Sequence, residues 1–213
     1  MYFAIRRVID TIIAGIGLII ASPLLIILAI AVKVDSKGPV IFKQERIGKD
    51  FKIYKMFKFR SMVENAQNMG TGVYSFAGDP RITKVGRFLR RTSLDELPQL
   101  WNIVIGDMAF VGPRSPVVGH FPKYEELNEA YRRRFTVLPG ITGLAQVTGR
   151  NEFAWDEKVK YDNIYIDNVK KYGILYDIKM WFLTIVRVFS MKDVEETQEN
   201  MEKNKESMGM DNK

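Results

Sequence analysis

An uncharged apolar run near the start of the chain, residues 11–32 (TIIAGIGLIIASPLLIILAIAV), limits what this sequence can fold into more than any other feature. Runs this long are rare in water-soluble proteins, and about 20 residues suffice to cross the hydrocarbon core of a bilayer. Ser22 and Pro23 lie at its centre. Proline lacks a backbone N–H and disfavours the α conformation of the residue before it, whereas the Ser22 hydroxyl can hydrogen-bond a carbonyl that proline leaves free.

Two membrane topologies fit these residues. In the first, the run forms two helical arms of about 11 residues each, too short to span separately, which enter and leave the membrane on one face. In the second, it forms one kinked spanning helix, since membrane helices tolerate proline. Basic residues flank both ends of the run, whereas a spanning helix has its Lys/Arg excess on the cytoplasmic side. The flanking charge therefore supports a re-entrant helix-break-helix over residues 1–36.

Composition narrows the chemistry. The 213-residue chain has no cysteine and one histidine, which excludes disulfides, thiol catalysis and multi-histidine metal sites. Nucleophilic or acid–base chemistry must therefore come mainly from Asp, Glu, Lys, Tyr or Ser. The net charge of +7 suits a nucleic acid, an anionic lipid or a phosphate-rich substrate, and the membrane run favours the last two. Length and polarity predict one folded domain at 37–191 and a disordered polar tail at 192–213.

Residue periodicity predicts an α-rich α+β fold. Alternation over residues 51–60 (FKIYKMFKFR) indicates a short strand with a basic face. A helix should begin near Asp95, because Pro98 fits only a first turn, and should end at Gly106. The last apolar segment carries charges, which predicts an amphipathic helix at a membrane interface. The helical spacing after the strand falls at residues 82–91, 95–105, 121–135, 155–172 and 174–191.

The densest set of reactive side chains lies in residues 79–114 (DPRITKVGRFLRRTSLDELPQLWNIVIGDMAFVGPR). Adjacent carboxylates, Asp95 and Glu96, follow a group of basic residues, and Pro98 places them at a helix N-terminus, which favours anions. Carboxylates with arginines suit Mg²⁺-assisted phosphoryl transfer, in which the cations neutralise charge and one carboxylate attacks. The simpler interpretation is structural, with Asp95 capping the helix and Glu96 favouring its first turn.

Several segments occur in the order of a known family. They are the apolar run interrupted at Ser22-Pro23, GPVIFKQERIGKDFKIYKMFKFRSM at 38–62, the 79–114 block, LPGITGLAQVTGRN at 138–151, YDNIYIDN at 161–168 and DIKMWFLTI at 177–185. Together, from about Tyr2 to Ser190, they resemble the bacterial sugar transferases, the small monotopic polyprenol-phosphate phosphoglycosyl transferases.

The resemblance implies a reaction. Asp95 matches the family nucleophile, which would attack the β-phosphate of a UDP-sugar, release UMP and hold the phospho-sugar until polyprenol (undecaprenyl) phosphate accepts it. Glu96 matches the Mg²⁺-binding member of the pair. Arg90 and Arg114 match arginines that contact phosphate and nucleotide. Two further basic residues, on one face of the predicted strand, are candidate phosphate or lipid-headgroup contacts: Lys58 and Arg60.

The match at Ser22-Pro23 implies a monotopic protein of the bacterial inner membrane with its catalytic domain on the cytoplasmic face. It would catalyse the first membrane step of capsule, exopolysaccharide, O-antigen or glycoprotein assembly. The chain resembles the minimal form, because larger relatives carry extra N-terminal spanning helices. It departs from the family in one place, with Pro113-Arg114-Ser115-Pro116 where many members have Pro-Arg-Pro.

The expected partners are a UDP-sugar, undecaprenyl phosphate and inner-membrane lipid, with a homo-oligomer left open. No nucleic-acid motif is recognisable, so we expect no nucleic acid. The three arginines at 132–134 are expected to face solvent or lipid headgroups. The alternative function is a noncatalytic membrane-anchored scaffold that binds anionic lipid.

Overall fold

One long helix and two small sheets organise the described part of the chain. The computed structural model describes residues 2–72, 75–76, 78–119, 121–149 and 153–190, so the predicted tail at 192–213 lies outside it. The strands are β1 Ile41–Ile47, β2 Ile53–Phe59, β3 Ala109–Val111 and β4 Gly140–Thr142. The helices are α1 Tyr2–Asp35, α2 Lys84–Thr92, α3 Gln99–Ile105, α4 Glu129–Arg133, α5 Leu144–Thr148, α6 Trp155–Tyr172 and α7 Ile174–Ser190. This is the α-rich α+β class that the sequence predicts.

The apolar run forms one helix rather than two separate arms. α1 continues through Pro23 for 34 residues, about 50 Å at the usual helical rise. Proline cannot donate to the carbonyl of Ile19, and the Ser22 hydroxyl donates to that carbonyl at 2.7 Å instead. The predicted role of Ser22 is therefore confirmed, whereas the predicted helix break at Ser22-Pro23 is not. By length and composition, α1 could cross a membrane.

Both ends of α1 pack against the rest of the protein, while its middle faces outward. The side chains of Ile19 and Ile20, near Pro23, are 75% and 74% exposed. The buried residues of α1 form two groups on either side of this exposed centre: Arg6, Asp10 and Ala14, then Leu28 and Val32.

A buried polar network holds the N-terminal end of α1. Arg6 Nε lies 2.9 Å from Asp177 Oδ2 on α7 and 3.5 Å from Asp10 Oδ2. Arg6 also donates to the Tyr165 hydroxyl at 3.0 Å and to the carbonyl of Val111. The Tyr165 hydroxyl in turn donates to Asp177 Oδ1 at 2.8 Å. Arg6, which the sequence presents as a flanking membrane charge, thus joins α1 to α6, α7 and β3.

Arg60 holds the C-terminal end of α1. Its guanidinium donates to the carbonyls of Ser36 at 2.6 Å and Val32 at 3.3 Å, where a cation suits the end of a helix. Asp35 accepts from the backbone N–H of Val85 at 2.9 Å, which adds a link to α2. The two ends of α1 are therefore fastened to one folded unit.

β1 and β2 form an antiparallel hairpin that presents its basic face inward. Ile41 lies opposite Phe59 and Ile47 opposite Ile53. Tyr54 and Met56 are buried in a cluster with residues of α1 and α3, whereas the side chain of Ile53 is 59% exposed. The sequence predicts the strand and its alternation but not its orientation. Because Tyr54 and Met56 supply the apolar contact surface, Lys58 on the same face also points inward.

The later helices follow the sequence closely, except between residues 121 and 135. α6 has the predicted bounds, and α7 is helical to Ser190. In place of the predicted helix at 121–135, the chain forms short turns around the five-residue helix α4. The reason is local: the Asn128 side chain accepts from the N–H of Tyr131 and starts a new helix, while Leu127 is extended.

Candidate active site

Asp95 and Glu96 lie in a tight turn between two helices. Ser93 adopts a left-handed conformation (φ 57°) that ends α2, and residues Leu94–Glu96 then form a single 3₁₀ turn. α3 begins only at Gln99 and ends, as predicted, at Gly106 with φ 104°. Asp95 is therefore not the N-cap of α3. Glu96 precedes this helix by three residues and Asp95 by four, so neither occupies its first turn, and the local turn, more than a helix dipole, sets their direction.

Glu96 is the centre of a charge cluster built from three separate elements. Its Oε1 lies 2.7 Å from Lys58 Nζ on β2 and 4.0 Å from Arg114 Nη1 in the loop after β3. Burial lowers the pKa of Lys58, and the carboxylates of Glu96 and Asp95 oppose that effect. The structure thus brings together four of the predicted site residues: Lys58, Asp95, Glu96 and Arg114.

Buried Asn102 aligns the carboxylate turn with the strand. Its Oδ1 accepts from the N–H of Phe57 at 2.9 Å, and its Nδ2 donates to the carbonyl of Lys55 at 2.8 Å. One side chain therefore bonds α3 to the backbone of β2 just before Lys58. The sequence pattern marks Asn102 only as a polar residue inside a helix.

Arg46 belongs to the same cluster, although sequence reasoning missed it. Its Nη1 donates to the carbonyl of Ser115 at 2.7 Å, and its Nε donates to Gln44 Oε1 at 2.9 Å. Burial, reinforced by the nearby charge of Arg114, lowers the pKa of Arg46 to about 10. Arg46 lies opposite Tyr54 in the hairpin and so shares the inward face with Lys58. Only the strand register could have revealed this, and β1 was not predicted.

The segment 138–143 holds the loop that carries Arg114. β3 pairs in parallel with β4, and the N–H of Gly112 donates to the carbonyl of Thr142 at 2.8 Å. The N–H of Gly140 donates to the carbonyl of Pro113 at 3.0 Å. A Cβ on Gly140 would lie 2.1 Å from the nitrogen of Gly112, so only glycine permits this approach.

Two predicted site residues, Arg90 and Arg60, make their described contacts away from the cluster around Glu96. Arg90 Nη2 donates to Ser75 Oγ at 2.9 Å, and its buried Nη1 has no hydrogen-bond partner among the described residues. Hydrogen bonds from Arg81 lower the pKa of Asp79, and the charge of Arg90 contributes further. Arg60 is buried against the end of α1. The structure therefore gives Arg60 a capping role and directs Arg90 toward the loop that precedes α2.

The donor set suits a magnesium ion only in part. Across the residues that the structure describes, no group of three or more His, Cys, Asp or Glu side chains converges. Mg²⁺ in phosphoryl-transfer sites is held by one or two carboxylates, with substrate phosphates and water completing the shell. Two adjacent carboxylates, Asp95 and Glu96, fit that requirement once a phosphate is present.

The described structure thus combines inward-facing cations and a carboxylate pair, which would suit a phosphate-bearing substrate, with a long apolar helix that could cross a membrane. Comparison with known proteins gives the family. The model described as bacterial sugar transferase matches residues 1–191, and the chain belongs to this family.

Three similar proteins illustrate the range of names and lengths among the relatives of this chain. The chain is 44% identical over 192 residues to a UDP-glucose:undecaprenyl-phosphate glucose-1-phosphate transferase of Klebsiella pneumoniae, covering 88% of this chain and 40% of that protein. It is 42% identical to the galactosyl transferase CpsE of Streptococcus agalactiae, covering 84% and 41%. It is 37% identical to the exopolysaccharide production protein PSS of Rhizobium leguminosarum, covering 87% and 96%. The chain thus spans about two fifths of the first two relatives and nearly all of the third.

Proposed function

We propose that this protein transfers a phospho-sugar from a UDP-sugar to undecaprenyl phosphate and releases UMP, as the first membrane step of glycan assembly. The convergence of Asp95 and Glu96 with Lys58 and Arg114 carries the proposal, because it joins a nucleophile to the cations that a diphosphate needs. Relatives named as undecaprenyl-phosphate glucose-1-phosphate and galactose phosphotransferases support the substrate class.

The proposed reaction has two steps. In the first, a carboxylate oxygen of Asp95 bonds to the β-phosphorus of the UDP-sugar, the bond from that phosphorus to the bridging oxygen breaks, and UMP leaves with the bridging oxygen. In the second, a phosphate oxygen of undecaprenyl phosphate attacks the same phosphorus and the bond to Asp95 breaks. The carboxylate is regenerated, and the product is a sugar linked to undecaprenol through a diphosphate. Such a covalent route splits one difficult transfer into two.

The surrounding charges fit this sequence of steps. Lys58 keeps Glu96 in place through their 2.7 Å contact. The Arg114 side chain is 40% exposed and can contact an incoming diphosphate. Glu96, with Asp95 and the substrate phosphates, would hold Mg²⁺, which when bound neutralises charge developing on the phosphates and the leaving UMP.

UMP release tests the activity and the metal together. We expect the protein to release UMP from at least one UDP-sugar in the presence of Mg²⁺ and undecaprenyl phosphate. Release should stop in excess chelator and return with added Mg²⁺, and Glu96→Gln should lose it. The matched control is Glu45→Gln, because Glu45 is an exposed strand residue outside the cluster. Full activity in chelator would exclude the metal role. No release from any UDP-sugar by the unmodified protein would leave the noncatalytic scaffold as the better function.

We also propose a re-entrant topology, with both ends of α1 and the catalytic domain on the cytoplasmic face. The support is the fastening of the two ends to one folded unit, through Arg6 to Asp177 and through Arg60 to Ser36. A spanning helix would place these ends, and their bonded partners, on opposite sides of the bilayer. In the re-entrant arrangement the exposed centre around Ile20 dips into the cytoplasmic leaflet.

α7 would lie at the surface of the same leaflet. Asp177 and Met180 are buried on one side of this helix. Its other side exposes apolar residues suited to the headgroup–acyl boundary: Leu175, Ile178, Phe182, Ile185 and Val186.

Cysteine labelling tests the topology on this cysteine-free chain. Single cysteines at Phe3 and at Lys37 should both react with a membrane-impermeant reagent applied from the cytoplasmic side. A cysteine at Ile20 should be protected from either side. Glu45→Cys, on the exposed face of β1, marks the cytoplasmic domain. Labelling of residue 3 or residue 37 from the periplasmic side would contradict the re-entrant topology and favour a spanning α1.

A further inference from the structure

Arg134, directly after α4, is buried, although its two arginine neighbours face solvent. The residue is 2% exposed, and its Nη2 lies 2.9 Å from Asp162 Oδ2 on α6. The ring of Trp155 packs on the guanidinium, with its centroid 4.8 Å from Cζ. Arg133, by contrast, forms a surface ion pair with Asp167. The sequence-based expectation of a solvent or headgroup face is therefore wrong for Arg134.

The Arg134–Asp162 pair is poorly suited to a purely stabilising role. Burial raises the pKa of Asp162 to about 6 even with the guanidinium beside it. Nε and Nη1 of Arg134 are buried and make no hydrogen bond to any described residue. Buried ion pairs of this kind are often no more stabilising than apolar side chains of the same size. Because the burial of these charges gains little stability for the fold, the pair is a candidate for a functional role.

Arg134 makes one contact that leads to the site. Its Nη2 also donates to the backbone carbonyl of Arg114 at 2.6 Å. The neighbouring carbonyls of the same loop have other donors, Gly140 N–H for Pro113 and Arg46 for Ser115. Arg134 is thus the side chain that fixes the peptide unit of Arg114 itself. The guanidinium of Arg114 is partly exposed, so its direction depends on this backbone.

We propose that Arg134 is a positioning residue that, anchored by Asp162, fixes the main chain of Arg114 so that the Arg114 guanidinium faces the diphosphate of the UDP-sugar. The proposal rests on the proposed function for its substrate. Arg134 does not contact the reacting atoms and acts only through Arg114.

Arg134→Lys is the first test. Lysine keeps the positive charge beside Asp162, but it is one bond shorter and lacks the planar fork, so it cannot hold both Asp162 and the Arg114 carbonyl as arginine does. We expect KM for the UDP-sugar to rise by about tenfold while kcat changes little, as for a loss of uniform binding. Arg133→Lys, at the neighbouring surface position, should leave both constants unchanged. An unchanged KM in Arg134→Lys would overturn the proposal.

A double-mutant cycle separates positioning from general structural damage. If Arg134 acts through Arg114, then Arg134→Lys should raise KM in the unmodified enzyme but not further in an Arg114→Gln background. Equal increases in both backgrounds would show a merely structural role and overturn the proposal. If Arg134→Lys fails to fold, Asp162→Asn replaces it in the cycle. This change removes the negative charge that anchors Arg134 and leaves the Arg134 side chain itself unchanged.

Hydrogen exchange gives a measurement that does not depend on turnover. The amides of Arg114, Ser115 and Val117 should exchange faster in Arg134→Lys than in the unmodified protein, without substrate, while those of α6 should not. If the unmodified protein releases no UMP, the proposed function fails, and this exchange still tests the positioning. Unchanged exchange over residues 112–118 would overturn it.

Discussion

Asp95→Asn should reduce UMP release by about 10⁴- to 10⁶-fold, because an amide cannot act as the nucleophile and loss of a catalytic residue that acts in the reaction costs factors of this size. Asparagine has nearly the shape of aspartate, so the 3₁₀ turn of Leu94–Glu96 and the contact between Lys58 and Glu96 should survive. Initial rates of UMP release, measured at saturating UDP-sugar and Mg²⁺, check this expectation.

The control for that measurement is Asp167→Asn. Asp167 is an exposed carboxylate paired with Arg133 on the surface, and its replacement removes the same charge far from the cluster. It should release UMP at the unmodified rate. If Asp95→Asn also did so, Asp95 could not be the nucleophile. Its position beside Glu96 would then suit only a metal ligand or a base.

Arg6→Met should lower the free energy of unfolding by about 3–5 kcal/mol, the usual cost of removing one partner from a buried ion pair. Methionine fills similar space, but it leaves the carboxylates of Asp10 and Asp177 buried without their shared cation. The hydroxyls of Tyr2 and Tyr165, which donate to Asp177, are uncharged and cannot neutralise the two carboxylates. Chemical unfolding of both proteins in the same detergent measures the difference.

Arg133→Met provides the matched comparison, because it breaks a surface pair in which the Asp167 side chain is 63% exposed. Exposed pairs contribute little to stability, because solvent screens the charges and the side chains lose entropy when they pair. Arg6→Met should therefore lower the free energy of unfolding clearly more than Arg133→Met does. Equal losses would mean that Arg6 does not anchor the N-terminal end of α1. Only the C-terminal end of this helix would then be held to the rest of the protein.

The sequence predicted those parts of the molecule in which local chemistry dominates. The bounds of α6 follow from helical periodicity, the end of α3 follows from Gly106, and the Ser22 hydroxyl compensates for Pro23 as expected. The sequence also shows Asp95 and Glu96 as neighbours, whereas the approach of Lys58 and Arg114 to Glu96 depends on the fold. The assignment of the two carboxylates as nucleophile and metal ligand came from family resemblance, because the residues alone favoured a helix cap.

Nonlocal contacts decided the rest. Alternation in β2 could not reveal which face is buried, since the packing of Tyr54 and Met56 against α1 and α3 decides it. The same packing brings Arg46 into the site from β1. β3 and β4 are three residues each and too short to show a period. Likewise, the burial of Arg134 depends on Asp162 from a distant helix.

Mass spectrometry of the protein after incubation with UDP-sugar and Mg²⁺, without undecaprenyl phosphate, tests the central claim most directly. The account predicts the mass of one phospho-sugar added to the peptide that contains Asp95, lost when undecaprenyl phosphate is supplied and absent from Asp95→Asn. An adduct on another residue would contradict the assignment. So would the absence of any adduct together with kinetics in which both substrates must bind before UMP is released, because direct attack by undecaprenyl phosphate would then be the mechanism.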